Sequence, residues 1–151
     1  MRLSNMNRLL VLFFVFSMPL VYAYSQKPEE AALKSGQEYF SKQMYNESVA
    51  EYGKAIEINP QYMEAYYNRA LVQGYLGNFE QAIADFTKVL EIDPKRADVY
   101  YNRAVAYFRM NDFDKSWADV AASETMGFRP NSAFLKELKA RSGKKKPDSE
   151  S

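Results

Sequence analysis

The sequence contains neither cysteine nor histidine among its 151 residues. A chain without cysteine can form no disulfide bond and has no thiolate nucleophile. The absence of both residue types also removes the ligands that most often hold zinc and other transition metals in proteins. We therefore expect no disulfide, no metal site and no cofactor.

Excess charge is also missing, because 20 basic residues nearly balance 19 acidic residues and leave a net charge of +1. Nucleic-acid binding depends on an excess of lysine and arginine at phosphate contacts, so this balance does not indicate a nucleic-acid partner. The sequence has no glycine-rich phosphate loop and no pair of carboxylates in a recognisable catalytic setting. These absences predict a protein that is not an enzyme.

The apolar run near the amino terminus predicts export. Residues 9–20 are apolar apart from one serine, they follow Arg2 and Arg8, and Ala23 supplies the small residue that precedes a cleavage site. We predict a signal peptide over residues 1–23, cleavage after Ala23 and a periplasmic location, because small exported eukaryotic proteins usually carry disulfides. The alternative is a retained N-terminal membrane anchor, although the run is shorter than the roughly 20 residues of a spanning helix.

The rest of the chain repeats itself every 34 residues. Residues 66–70 read Tyr-Tyr-Asn-Arg-Ala and return unchanged at 100–104. Residues 57–60 read Glu-Ile-Asn-Pro and return at 91–94 as Glu-Ile-Asp-Pro. A period of this length indicates stacked supersecondary units, each too small to bury its own apolar face.

Apolar periodicity divides each unit into two helices. The predicted pairs are 31–42 with 45–58, 63–76 with 79–92, and 97–110 with 113–126. Pro60 and Pro94 end the first two units, and Gly127 is expected to end the third in a left-handed conformation. The predicted segments are a linker over 24–28, units over 29–62, 63–96 and 97–128, a capping helix over 129–141 and a disordered tail over 142–151.

The capping helix is predicted from a short amphipathic pattern after the third unit. Asn131 or Ser132 can cap its amino terminus, and Phe134, Leu135 and Leu138 fall on one face. The last unit of a repeat array needs such a cap, because its outer apolar face has no neighbouring unit.

Small and aromatic residues recur at fixed slots of the first helices. The small slot holds Gly36, Ala70 and Ala104. The aromatic slot holds Tyr39, Gln73 and Tyr107, so Gln73 needs either a hydrogen-bond partner or contact with water. In this pattern the sequence resembles the tetratricopeptide repeat family. The resemblance implies an all-α fold of three stacked antiparallel helix-turn-helix units in a short right-handed superhelix, plus the C-terminal capping helix.

A second apolar stripe runs beside the packing stripe of each first helix, one residue further along the chain. The resemblance implies that this stripe lines a concave groove that binds an extended peptide or a helix, with side-chain amides that pair with the peptide backbone. The predicted groove residues are Leu33, Gln37, Phe40, Tyr67, Asn68, Leu71, Tyr101, Asn102, Val105 and Phe108. The alternative is that the stripe packs neighbouring first helices together.

The resemblance implies a protein-interaction module with a protein or peptide partner. Members that grip the C-terminal carboxylate of cytosolic chaperones use two lysines, two asparagines and an arginine, and the matching residues here are Leu33, Gln37, Asn68, Asp98 and Asn102. Only Asn68 agrees, so that subtype is excluded. We predict a partner in the cell envelope, and the alternative is a structural adaptor that self-associates weakly through its convex face or its ends.

Charged side chains on the helices are expected to lie in solvent. Arg69 and Arg103 directly precede the small slot and are expected to point outward. Asp85 is expected on an exposed helix surface. None of the three is predicted to take part in packing.

Overall fold

The computed structural model describes residues 27–143, and these residues form seven α-helices. The helices are α1 Pro28–Ser41, α2 Tyr45–Ile58, α3 Met63–Leu76, α4 Phe79–Ile92, α5 Ala97–Arg109, α6 Phe113–Thr125 and α7 Ser132–Ser142. We call α1 and α2 unit 1, α3 and α4 unit 2, and α5 and α6 unit 3. Within residues 27–143, no helix is both long enough and apolar enough to cross a membrane.

The helix boundaries agree with the sequence prediction in the middle of the array and differ toward its ends. The helices α2, α3 and α4 have the predicted bounds, while α5 and α6 each end one residue early. The first helix begins at Pro28, inside the predicted linker, because proline fits the first helical position without needing its missing N–H. The predicted signal peptide and residues 144–151 of the predicted tail lie outside the described residues.

The capping helix α7 exists and has one of the two predicted N-caps, although the helix itself begins at Ser132, three residues after the start of the predicted segment. Asn131 is the N-cap, and its side-chain oxygen accepts hydrogen bonds from the backbone N–H groups of Ala133 and Phe134 at 2.8 and 3.3 Å. The helix ends at Ser142 because Gly143 adopts a left-handed φ of 65°. Leu138 is fully buried against unit 3, as the amphipathic pattern predicts.

Complementary side-chain sizes hold the two helices of each unit together. A Cβ atom added to Gly36 would lie 2.5 Å from the ring of Tyr52, so the tyrosine of unit 1 requires glycine at the small slot. In unit 2 the smaller Phe86 packs in one cluster with Ala70. In unit 3 the still smaller Val120 packs with Ala104.

Buried serines add a polar link between the helices of units 1 and 3. The Ser48 hydroxyl donates to the backbone carbonyl of Gly36 at 2.8 Å, and the Ser116 hydroxyl donates to the carbonyl of Ala104 at the same distance. Both serines have no exposed surface. Their hydroxyl groups are therefore satisfied inside the core, where an unpaired donor would destabilise the fold.

The expectation that Arg69, Arg103 and Asp85 lie in solvent is wrong. Arg69 donates two hydrogen bonds of 2.8 Å to the carboxylate of Asp85 on the facing helix. Arg103 makes the same bidentate contact with Asp119 at 2.8 and 2.9 Å. It also donates to the Thr87 hydroxyl at 2.9 Å and thereby joins unit 3 to unit 2. Each arginine bridges its own helix pair because the aspartate is 16 residues further along, on the returning helix.

Gln73, the exception in the aromatic slot, has a hydrogen-bond partner. Its side-chain oxygen accepts from the Asn78 amide at 2.8 Å. Of the two predicted alternatives, the structure shows the hydrogen bond. The contact lies at the turn of unit 2, where Gly77 has a left-handed φ of 81°.

The turns between the paired helices use a left-handed residue at the 34-residue period. The three positions are Gln43, Gly77 and Asn111, with φ angles of 60°, 81° and 63°. Glycine adopts this conformation without strain and asparagine tolerates it, whereas a longer side chain such as glutamine is disfavoured there. Unit 1 therefore has the least suitable residue of the three.

Replacing Gln43 with glycine should raise the free energy of unfolding by about 0.5–1 kcal/mol, because relief of the left-handed strain exceeds the added entropy of glycine. The Gln43 side chain is exposed, so no packing is lost. Urea unfolding would measure the change. Lys42→Gly is the matched control: the φ of Lys42 is −88°, and glycine there should lower stability. A loss of stability in both variants would contradict the strain assignment.

Candidate functional site

A cavity of about 410 Å³ opens between the first helices of units 2 and 3. Its floor is made by the second helix of unit 2, and we call it the Gly74 cavity. Residues that face it from all three helices include Leu71, Gly74, Phe79, Asn102, Val105 and Arg109. Its size lies in the range of roughly 300–1,000 Å³ that is typical of ligand pockets.

The cavity exists because one wall lacks a side chain. A Cβ atom added to Gly74 would meet no atom within 4 Å, so the space beside the α3 backbone is open. The floor is well packed, with Phe86 and Ala82 buried in the core of unit 2. A rigid floor under an open wall makes a preformed pocket.

Three of the ten predicted groove residues line the Gly74 cavity, namely Leu71, Asn102 and Val105. Leu71 and Val105 belong to the predicted apolar stripe of the first helices, and Asn102 is one of the amides predicted beside it. The prediction missed Phe79 and Arg109, which also line the cavity and lie with the Arg109 guanidinium 5.0 Å from the Phe79 ring centre. The available signal was Gly74 itself, since the other first helices have Phe40 and Phe108 at its 34-residue equivalents.

Tyr67 and Asn102 join the first helices of units 2 and 3 beside the cavity. The Asn102 amide nitrogen donates to the Tyr67 hydroxyl at 3.3 Å, and the Arg96 guanidinium lies 5.0 Å from the Tyr67 ring centre. Burial and the nearby Asp98 charge raise the pKa of Tyr67 above its ordinary value, although the Asn102 hydrogen bond opposes them. The phenol is therefore neutral at physiological pH and acts as a hydrogen-bonding group.

Tyr101 and Phe108 are covered by the capping helix. The Tyr101 ring lies 4.9 Å from that of Phe128 and 5.6 Å from that of Phe134. Phe108 is only 4% exposed, with the Arg141 guanidinium 4.5 Å from its ring centre. The prediction that Tyr101 and Phe108 line an open groove is therefore wrong for Phe108, which is buried, and Tyr101 is partly covered by aromatic rings.

The predicted residues of unit 1 lie at the other end of the array. Leu33 is partly buried against the cluster formed by Ala32, Ala55 and Ala65, while Gln37 is exposed. Phe40 is 36% exposed and lies against aromatic rings of units 1 and 2. Asn68 is partly exposed, and no described residue hydrogen-bonds its side chain.

Asp98 is ion-paired beside Tyr67. Arg96 donates two hydrogen bonds to its carboxylate at 2.8 and 2.7 Å, and these bonds lower the pKa of Asp98 below its ordinary value. A carboxyl group whose pKa is lower in the folded state stabilises the fold above the unfolded pKa of about 3.9. That contribution is lost as the pH falls through the folded-state pKa.

Asp98→Asn should therefore reduce stability at pH 7, and its difference from the wild type should shrink as the pH falls below about 4. Urea unfolding midpoints of both proteins between pH 7 and pH 3 would measure this. Glu38→Gln is a suitable control, because the Glu38 side chain is exposed on α1, away from the Arg96 contact. A wild type–Asp98→Asn difference that stays constant down to pH 3 would contradict the lowered pKa.

The residues that line the Gly74 cavity are suited to binding a side chain of another molecule. Its described lining is apolar except for the Tyr75 phenol, the Asn102 amide and the Arg109 guanidinium. Among residues 27–143 there is no group of three or more histidine, cysteine, aspartate or glutamate side chains that could hold a metal ion. An apolar pocket with a few polar groups at its edge can bind and orient a side chain.

Comparison with family models identifies the repeat. A model described as TPR repeat matches residues 36–74, and two models described as Tetratricopeptide repeat match residues 64–96 and 86–118. Together they cover residues 36–118, more than half of the chain. No curated protein matches the sequence.

Solved structures with the same architecture are themselves repeat domains of this kind. The Arabidopsis OM64 TPR domain is 26% identical, with a TM-score of 0.68 over 74% of this chain and 94% of that domain. The TPR2B domain of yeast Sti1, solved as a pHsp70 complex, is 27% identical, with a TM-score of 0.66 over 77% and 96%. The first TPR of Spaghetti (RPAP3), bound to the HSP90 peptide SRMEEVD, has a TM-score of 0.68 over 77% and 91% at 21% identity, which shows the fold alone.

Proposed function

Because the chain belongs to the tetratricopeptide repeat family, we propose that it binds a peptide segment or helix of a cell-envelope protein and does not catalyse a reaction. The binding surface is the groove of the first helices, with the Gly74 cavity at its centre. The predicted signal peptide supports a partner outside the cytoplasm.

The Gly74 cavity is the observation that carries this proposal. It is preformed, apolar and open, and it lies where the first helices of two units meet. Partner binding by a similar domain also supports this proposal, since the TPR2B domain of yeast Sti1 was solved as a pHsp70 complex. Rigid aromatic and aliphatic walls provide contact area at low entropic cost.

The proposed partner is not a cytosolic chaperone that is bound through its C-terminal carboxylate. Asp98 stands where that subtype has a lysine, and it is already paired with Arg96. Leu33 replaces the lysine of the first unit. A peptide whose main feature is a C-terminal carboxylate would therefore meet an acidic group in place of a cation.

Affinity capture from the envelope of the native cell tests the proposal. The tagged wild-type chain would be compared with the double variant Leu71→Lys, Val105→Lys, which places two charges in the groove. Ala84→Lys, Ala118→Lys is the matched control, because both alanines are exposed on second helices and the charge change is the same. We expect the wild type and the control to retain a partner and the groove variant to lose it by at least about tenfold.

Retention of the partner by both variants would contradict groove binding. The function would then lie on the convex face or at the ends, as the adaptor alternative requires. Circular dichroism of each variant verifies that the helices remain folded. Sedimentation of the wild type over a range of concentrations measures self-association independently.

A further inference from the structure

In unit 1 a partly exposed phenylalanine ring packs against two other aromatic rings. The centre of the Phe40 ring, near the end of α1, lies 5.7 Å from that of Tyr45 at the start of α2. The Tyr75 ring, which belongs to α3 of the next unit, lies 5.8 Å from Phe40. The Phe40 ring therefore contacts both its own unit and the first helix of the following unit.

Unit 3 repeats this arrangement with a cation in the covering position. The Phe108 ring, which corresponds to Phe40, lies 6.0 Å from that of Phe113. The Arg141 guanidinium of α7 covers both rings, at 4.5 Å from Phe108 and 5.6 Å from Phe113. Guanidinium groups stack favourably on aromatic faces, so the covered ring is stabilised there.

Unit 2 has the outer two parts of this arrangement without the central ring. Phe79 corresponds to Tyr45 and Phe113, and the Arg109 guanidinium lies 5.0 Å from its ring centre. Gly74 stands at the position of the phenylalanine, with open space where a side chain would begin. The Gly74 cavity is therefore the place of the missing ring, lined by the same kinds of group that hold a ring in unit 3.

The charge at the cavity is unbalanced. Arg109 forms no ion pair with any carboxylate among residues 27–143, whereas Arg69, Arg96, Arg103 and Arg141 each have one. The described lining of the cavity contains no carboxylate. A negative group on the ligand would therefore find an available partner in Arg109.

We propose that the Gly74 cavity receives an aromatic side chain of the partner peptide, and that Arg109 pairs with a carboxylate on a neighbouring residue of that peptide. The aromatic ring packs beside Phe79 and Arg109, as Phe108 packs beside both Phe113 and Arg141. This inference rests on the groove-binding function proposed above and specifies the chemistry of its ligand.

A substitution at Gly74 that fills the cavity with a side chain tests the inference. Gly74→Phe restores the ring that the other units carry, so it should raise the thermal unfolding midpoint while it blocks the ligand. Gly53→Ala is the matched control, because it also removes a helix glycine but lies outside the cavity, where an added Cβ would meet only Arg69 at an ordinary contact distance of 3.7 Å. Both variants are expected to be at least as stable as the wild type, so loss of binding by one of them cannot be attributed to unfolding.

The probes are synthetic peptides with the sequence acetyl-Gly-Ser-X-Z-Ser-Gly-amide, titrated into the full-length chain by NMR or calorimetry. In the positive set X is Phe, Tyr or Trp and Z is Glu, and the comparison peptides replace X with Ala or Z with Gln. We expect binding of the positive set alone, at least about tenfold weaker binding by Gly74→Phe and unchanged binding by Gly53→Ala. Arg109→Gln should weaken binding about threefold and reduce its dependence on salt.

Several outcomes would overturn the inference. Failure of every positive peptide to bind the wild type, or equal binding by Gly74→Phe, would remove the ring pocket. The double variant Leu71→Lys, Val105→Lys could lose a native partner that Gly74→Phe still binds. That result would contradict this inference and leave the proposed function supported. Dimerisation of the wild type that Gly74→Phe abolishes would assign the cavity to a second copy of the chain instead of a partner.

Discussion

Replacing Asp119 with alanine should lower the free energy of unfolding by about 3 kcal/mol, because it leaves the Arg103 guanidinium without its partner inside the array. The two side chains are only 7% and 16% exposed, and their contact is bidentate. Solvent can therefore do little to replace the lost carboxylate. Arg103 also donates to Thr87 of unit 2, so the loss should loosen the junction between units 2 and 3.

Two comparison variants make this prediction specific. Glu91→Ala breaks the exposed pair with Lys88 and should change stability by less than about 1 kcal/mol. Asp85→Ala should fall between these values, because its partner Arg69 is more exposed than Arg103. Urea unfolding at pH 7 measures all three. A cost for Asp119→Ala no larger than that for Glu91→Ala would show that the buried pair is not structural.

Replacing Leu138 with alanine should cost about 2–5 kcal/mol, which is the range for a large-to-small change in a packed core. Leu138 has no exposed surface and packs with Ala104, Phe108, Trp117 and Val120. It is the only buried residue of α7. The variant should therefore release the capping helix and expose the outer face of unit 3.

Trp117 reports this release directly, because it is the only tryptophan of the chain. Its indole N–H donates to the Ser142 hydroxyl of α7 at 3.2 Å, and the side chain is buried. Undocking of α7 should shift its fluorescence to longer wavelength. Lys136→Ala, on the exposed face of the same helix, should leave both stability and fluorescence unchanged. Wild-type fluorescence and stability in Leu138→Ala would mean that α7 does not cap the array.

The repeat architecture could be predicted from the sequence, because its signals are local. The 34-residue period, the prolines at 60 and 94 and the apolar spacing act within a few turns of helix. They place α2, α3 and α4 at their observed bounds. The predicted helix bounds were less accurate at the ends of the array, since Pro28 is equally compatible with a linker and with the first position of a helix.

The candidate site was predicted in part. Helical spacing put Leu71, Asn102 and Val105 on one surface, and they line the same cavity. It could not show that Phe108 is covered by α7 or that Arg109 faces Phe79. Those contacts join residues from different helices, and the spacing within one helix carries no information about them.

The sequence by itself determined the kind of fold: the period, the helix pairs, the family and the apolar surface of the first helices. The tertiary structure alone decided which of those apolar residues remain open and which charges are buried. Arg69 and Arg103 read as surface cations until the returning helix brings an aspartate to each. The reason is physical, since exposure and pairing depend on the neighbours that packing supplies, whereas helix formation depends chiefly on residues three or four positions apart.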